Sequence, residues 1–238
     1  DNEEFFWFCF ELEWFCAMAT IHLIRKPATP EQINDMLQDF DDFIKLAQEL
    51  AQQYPDLPQR RWAMDHCRYL SDKQAVEAKK VGLYYSCGPK YVYAGEKGDI
   101  GAFQLIYGDE AKDVVVPLRR IIDNGLKAVM ELDQHAFHPM LALQVAVNRK
   151  DVTGKVWGPE ERVTRNEALY MYTRWAAEYV LRERRIGTIE ADKLADLAVL
   201  NKDYLTVPED EIGRIDPVLT LVGGKVAYSE PAFAATAG

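Results

Sequence analysis

The sequence predicts an α/β fold built on a parallel sheet, followed by a small all-β module. Three observations carry this expectation. Short apolar runs alternate with amphipathic segments of helical period, Ser/Thr-x-x-Gln/Glu capping boxes mark where helices begin, and from Ile186 onward the helical period gives way to short β runs broken by Gly and Asp.

The elements follow in order. The run CAMATIHLI, residues 16–24, suits a buried strand. Thr29, three residues before Gln32, forms a capping box with Pro30 at the first helical position; Ile33, Met36, Leu37, Phe40, Phe43, Ile44 and Ala47 then recur at helical spacing. After a turn through Pro55 and Pro58, Arg61 to Cys67 reads as a second short strand, and Ser71 with Gln74 caps a helix running to about Lys80. Val81 to Cys87 reads as a strand, Gly88 to Asp109 as a long Gly- and Tyr-rich loop, Lys112 to Asp123 as a helix, and Lys127 to Asp133 as a strand. The loop stretch holding Lys90, Tyr91 and Tyr93 is either a lid over a site or an ordinary surface loop. Thr164 and Glu167 cap a helix that ends near Arg185. Beyond it, LADLAVL and VLTLVGGKVAY form β runs, with the Gly223-Gly224 pair as a hairpin turn. The boundary near Arg185 divides the chain into residues 1–185 and 186–238.

Composition narrows the partners. Among 238 residues, 38 are acidic and 28 basic, a net charge of −10 that disfavours phosphate neutralisation and so a nucleic-acid partner; a small molecule is expected instead. Glu11 and Glu13 break the aromatic N-terminal run well short of the roughly 20 apolar residues of a membrane span. The four cysteines, Cys9, Cys16, Cys67 and Cys87, show no CxxC spacing, which points to neither a disulfide framework nor a thiolate metal site and favours a reducing, cytoplasmic setting. The chain opens at Asp1 without a basic leader or cleavage site, so an N-terminally incomplete sequence is expected.

Candidate chemistry gathers at predicted strand ends. His22 and His66 each close a predicted parallel strand, as does Asp133, and in a barrel such ends converge on one rim. His, His and Asp are ligand types suited to zinc or a similar divalent ion, and Asp133 beside a cation can also accept a proton from an attacking water. Each has a structural alternative: a buried histidine satisfying a hydrogen bond, or Asp133 capping the helix that follows. His135 and His138 lack a third partner and are left outside the metal set. No GxSxG elbow, GxxxxGK[ST] loop or GxGxxG turn occurs.

A resemblance sharpens these readings. RIGTIEADKLADLAVLNKDYLTVPEDEI followed by VLTLVGGKVAY resembles the close of the amidohydrolase superfamily, in particular amidohydrolase family 3, with Gly187, Glu190, Lys193, Ala195, Asp196 and Leu197 kept. WGPEERVTRNEALYMYTRWAAE and PLRRIIDNGLKAVMELD are similar to further stretches of that family, the second ending at its metal-site Asp, here Asp133. RRWAMDHCRYLS is similar to its RhrIEHa stretch, placing a metal-binding His at His66, and ATIHLI aligns His22 with the His of its HaxGD motif. Departures include Leu132 for Ser, Gly88 for Gln, Asp192 for Gly and Asn201 for Asp.

The resemblance implies the C-terminal half of a TIM-type (β/α) barrel followed by strands of a small composite β-sandwich. It implies hydrolysis of a carbon-nitrogen bond in a small amide-type substrate by water activated on a divalent metal, zinc by default, with His22, His66 and Asp133 as ligands and Asp133 as the catalytic base. The family's His-x-His pair would precede His22, where this chain has no room for it. The competing reading is an inactive half-barrel remnant that binds a partner. Its open strand edges would favour homo-oligomers, seen as concentration-dependent sedimentation.

Overall fold

The computed structural model describes residues 30–67, 70–95, 100, 101, 104, 108–110, 112, 115–132 and 138–231. The strand expected over residues 16–24, with His22, lies outside them, as do Asp133 and His135. Helix α1, Pro30–Gln53, runs the full length of its apolar periodicity and buries Phe43, Ile44 and Ala47.

Strand β1, Ala63–Met64, and helix α2, Asp72–Lys80, come next. The capping box at the start of α2 forms as its spacing predicts: Gln74 N donates to Ser71 Oγ at 3.3 Å, and Ser71 N donates back to Gln74 Oε1 at 3.0 Å. Strand β2, Tyr84–Cys87, lies between β1 and β3, Lys127–Met130, in a parallel sheet of order β1-β2-β3. The register pairs Ala63 with Tyr84 and Tyr84 with Lys127, so the strands start level and their C-terminal ends share one edge. Strand β3 ends at Met130 rather than Asp133 because its partner stops at Cys87 and turns away at Gly88-Pro89.

Two expectations are corrected here. The loop expected after Cys87 folds at once into a short helix, α3, Lys90–Tyr93, whose Lys90, Tyr91 and Val92 are buried. It therefore belongs to the core and is not an ordinary surface loop. The helix expected from Lys112 is continuous only as α4, Leu118–Asp123. Pro117 explains the late start, since a proline disfavours helical backbone in the residue before it, and Val116 takes φ 53°.

Helix α5, Pro139–Asn148, precedes α6, Arg165–Tyr172, and α7, Arg174–Tyr179. The Thr164-Glu167 capping box opens α6 as expected. The single helix expected from there to about residue 185 breaks at Thr173, whose hydroxyl donates to Leu169 O at 2.7 Å and competes with the backbone ladder. Glu178 of α7 accepts from Lys127 and Tyr84, fastening α7 to the first residues of β2 and β3, at the opposite end of the sheet from Cys87 and Met130.

Past α7, Arg61 Nη1 and Nη2 donate to Glu183 at 2.8 and 2.6 Å, and this hydrogen-bonded guanidinium holds the Glu183 carboxyl down to about 2 from its ordinary 4.5. A carboxylate with a depressed folded value stabilises the fold above 4.5, and that contribution is lost as pH falls from 4.5 toward 2. The side chain is 35% exposed, so solvent screening keeps the effect small. Denaturant midpoints from about pH 6 to about pH 2 are expected to fall less steeply in Glu183→Gln than in the parent. Parallel curves would contradict this.

The C-terminal sheet is antiparallel, with strands β4, Leu197–Leu200, β5, Pro217–Val222, and β6, Lys225–Ser229, in that order. Gly223 and Gly224 make the expected hairpin turn at φ 58° and 78°, backbone that favours glycine at both positions. Val199, Val222, Val226 and Tyr228 stay exposed on this sheet.

Candidate metal centre

Parallel register brings the C-terminal ends of β1, β2 and β3 together, and the chemistry lies on that edge. His66 follows β1 by two residues, held at φ 67°, and its Nδ1–H donates to Glu131 Oε2 at 3.1 Å. Glu131 is the first residue after β3, and its N–H donates to Cys87 O at 3.0 Å, continuing the ladder one step past the strand. Asp65 Oδ2 lies 3.6 Å from His66 Nδ1. Asp65, His66 and Glu131 each offer a ligand atom, all within 4.8 Å of one another.

Packing fixes this arrangement. The Tyr91 ring lies 6.0 Å from the His66 ring, tilted by 57°. Gly88 passes so close that a Cβ there would stand 2.6 Å from Glu131 Oε1 and 2.8 Å from Tyr91 Cε2. Glu131 Oε1 is buried with no hydrogen-bond partner among the described residues. A buried carboxylate oxygen in that state is a natural partner for a cation. One imidazole and two carboxylates are a donor set suited to zinc and related divalent ions, so these residues fit such an ion.

Of the sequence-predicted ligands, His66 sits in this cluster, while His22 and Asp133 are outside the described residues. Glu131 and Asp65 were not foreseen. His138, left outside the metal set from sequence, caps α5, its Nδ1 accepting from Met140 N at 3.3 Å. The helix after β3 is thus capped without Asp133. A cavity of about 550 Å³ lies elsewhere, between α5, α6 and the loop after β4; Met140, Leu143, Leu169, Leu200 and Tyr204 line it together with other residues, and none of the candidate ligands does.

The cysteine reading is corrected. Cys67 and Cys87, which the sequence left unpaired, form a disulfide with Cα atoms 4.7 Å apart. Their 20-residue separation matches no short motif, and it is the parallel register that sets them side by side.

The motif residues that carried the resemblance hold structure. Gly187, at φ 93°, passes so near α7 that a Cβ would come 2.5 Å from the Ala177 Cβ. Lys193 pairs with Glu190 at 3.2 Å, and Asp196 Oδ1 accepts from Gly223 N at 2.6 Å, tying the motif to the hairpin.

A parallel βα sheet with a His-carboxylate cluster on its C-terminal edge, followed by a small antiparallel sheet, defines a mixed α/β protein with a candidate divalent-metal centre. Residues 35–228 match the model of the Amidohydrolase family, and the chain belongs to that family. It is 32% identical over 114 residues to the N-substituted formamide deformylase of Arthrobacter pascens, a match covering 47% of this chain and 21% of that protein. Its fold is shared with an uncharacterized metal-dependent hydrolase from Pyrococcus horikoshii OT3 at TM-score 0.54 and 22% identity, covering 62% of this chain and 30% of that one. A second such hydrolase, from Pyrococcus furiosus, matches at TM-score 0.55 and 19% identity, covering 75% and 38%. The chain thus spans well under half the length of these relatives. No helix among the described residues is long and apolar enough to cross a membrane.

Proposed function

We propose that this chain is the C-terminal portion of a metal-dependent amidohydrolase that cleaves a carbon-nitrogen bond, with residues 1–185 forming part of a (β/α) barrel and 186–238 contributing strands to a β-sandwich. The observation that carries the reading is the convergence of His66, Glu131 and Asp65 within 4.8 Å on the edge where parallel strands end. That is the rim on which barrel enzymes place their chemistry. The small share of its relatives that the chain spans supports its being one portion of a longer hydrolase.

His66, Asp133 and His22 would hold the ion, with the Glu131 carboxylate against His66, and zinc is the ion we expect. When bound, a divalent ion supplies a Lewis acid that polarises the scissile carbonyl and lowers the pKa of water. Asp133 takes the proton of the attacking water and passes it to the leaving nitrogen. Glu131 keeps the His66 imidazole oriented through the Nδ1–H hydrogen bond, as carboxylates behind metal-binding histidines do. The deformylase, by its name, acts on N-substituted formamides, and a small amide of that type is the substrate class we propose. A cytoplasmic location accords with this reading provided the Cys67–Cys87 bond is reversible.

Metal content by elemental mass spectrometry tests the assignment. Near-stoichiometric zinc is expected in the chain, falling to background in His66→Ala and Asp133→Ala. His138→Ala should retain the metal while losing about 1 kcal/mol with its helix cap. Equal metal in all variants overturns the ligand assignment, and none in the parent chain would mean that this chain alone is a fragment or an inactive remnant.

A further inference from the structure

The disulfide spans the two walls of the candidate centre. Cys67 directly follows His66, and both hold left-handed backbone, at φ 44° and 67°, which non-glycine residues adopt only when their surroundings impose it. Cys67 O accepts from Val116 N at 3.1 Å, and Cys87 O accepts from Glu131 N at 3.0 Å. One sulfur therefore belongs to the turn that presents His66, and the other to the strand end to which Glu131 is bonded. Both cysteines are at most 2% exposed.

We propose that Cys67–Cys87 is a reversible redox staple that holds the His66 turn against Glu131, so that reduction loosens the centre. The consequence for metal rests on the metal-site reading above, whereas the staple itself does not. Opening requires a thiol reductant. A local opening first admits the reductant to the buried pair; a thiolate then attacks one sulfur, the S–S bond breaks, and a second reductant thiol resolves the mixed disulfide. The reductant pair becomes a disulfide, giving up two electrons and two protons, and Cys67 and Cys87 become thiols. A small-molecule disulfide such as oxidised glutathione reverses the exchange. With the crosslink gone, two adjacent left-handed residues lose the covalent restraint on their conformation, and the turn relaxes away from Glu131.

The test uses the full chain, oxidised with oxidised glutathione or reduced with a phosphine, and the Cys67→Ser/Cys87→Ser double variant as a second route to the open state. Peptide mapping without reductant should recover a Cys67–Cys87 crosslinked pair from the oxidised chain. Amide exchange across residues 63–67 should run at least tenfold faster in the reduced chain and in the variant, with α5 unchanged as an internal reference. Absence of the crosslink, or equal exchange in oxidised and reduced chains, overturns the staple. Titration with zinc alone separates the two readings. A tenfold or greater weakening on reduction supports both. An exchange difference with no zinc binding in either state leaves the staple standing and removes the metal reading, and equal exchange with equal zinc binding does the reverse.

Discussion

Replacing Arg149 with alanine is expected to remove about 3–5 kcal/mol of stability, a fifth or more of what a domain of ordinary stability has. The guanidinium is almost wholly buried, and it donates to Trp157 O at 2.8 Å, Val116 O at 2.9 Å, Val115 O at 3.1 Å and Lys112 O at 3.3 Å. Deleting it leaves four carbonyls without that donor, each costing about 1–3 kcal/mol if water cannot reach it, and some water entry keeps the total below their sum. Gly158 shows how closely this region is packed, because a Cβ there would collide with the Lys112 carbonyl that Arg149 also binds. Arg149→Lys keeps the charge but not the planar fork and should fall between the parent and Arg149→Ala. Urea unfolding measures all three, and a loss under about 1 kcal/mol in Arg149→Ala would show that the carbonyls find other donors.

Gly88→Ala should strike the candidate centre while sparing the rest of the fold. The new methyl would stand 2.6 Å from Glu131 Oε1 and 2.8 Å from the Tyr91 ring. Tyr91 is 3% exposed and walled in, so the Glu131 carboxylate is the group that must move, and its hydrogen bond with His66 goes with it. Loss of a carboxylate that orients a metal-binding histidine typically weakens metal affinity by about ten- to a hundredfold. Zinc affinity in the variant should fall by that factor, with a stability change within about 1–3 kcal/mol from overpacking. Unchanged affinity would remove Glu131 from the centre.

These two sites differ in how far the sequence announces them. Ser71 with Gln74 and Thr164 with Glu167 are legible because a capping box closes within four residues and needs no tertiary partner. His66 is legible through the stretch around it. Glu131 is not, since its partner lies 65 residues upstream and only the sheet brings them together. A signal was nevertheless present, because residues two apart on an extended chain face the same side, and Glu131 stands two before Asp133 at the end of an expected strand. Cys67 and Cys87 carry a similar signal, each falling at the close of an expected strand. The late start of α4 was readable from Pro117 alone, and apolar periodicity masked it. The half-barrel and the composite sandwich extend beyond what the described strands display.

The order of strands in space follows their order along the chain in both sheets. Each strand after the first of its sheet therefore meets a neighbour that has already left the ribosome, and each such pairing closes a loop made only of the segment just synthesised. Loop-closure entropy rises slowly with length, but short closures come sooner and cost less. Folding can proceed from the N-terminal side as the polypeptide emerges, with the edge that carries His66 assembled when β3 docks on β2 and before the C-terminal hairpin exists.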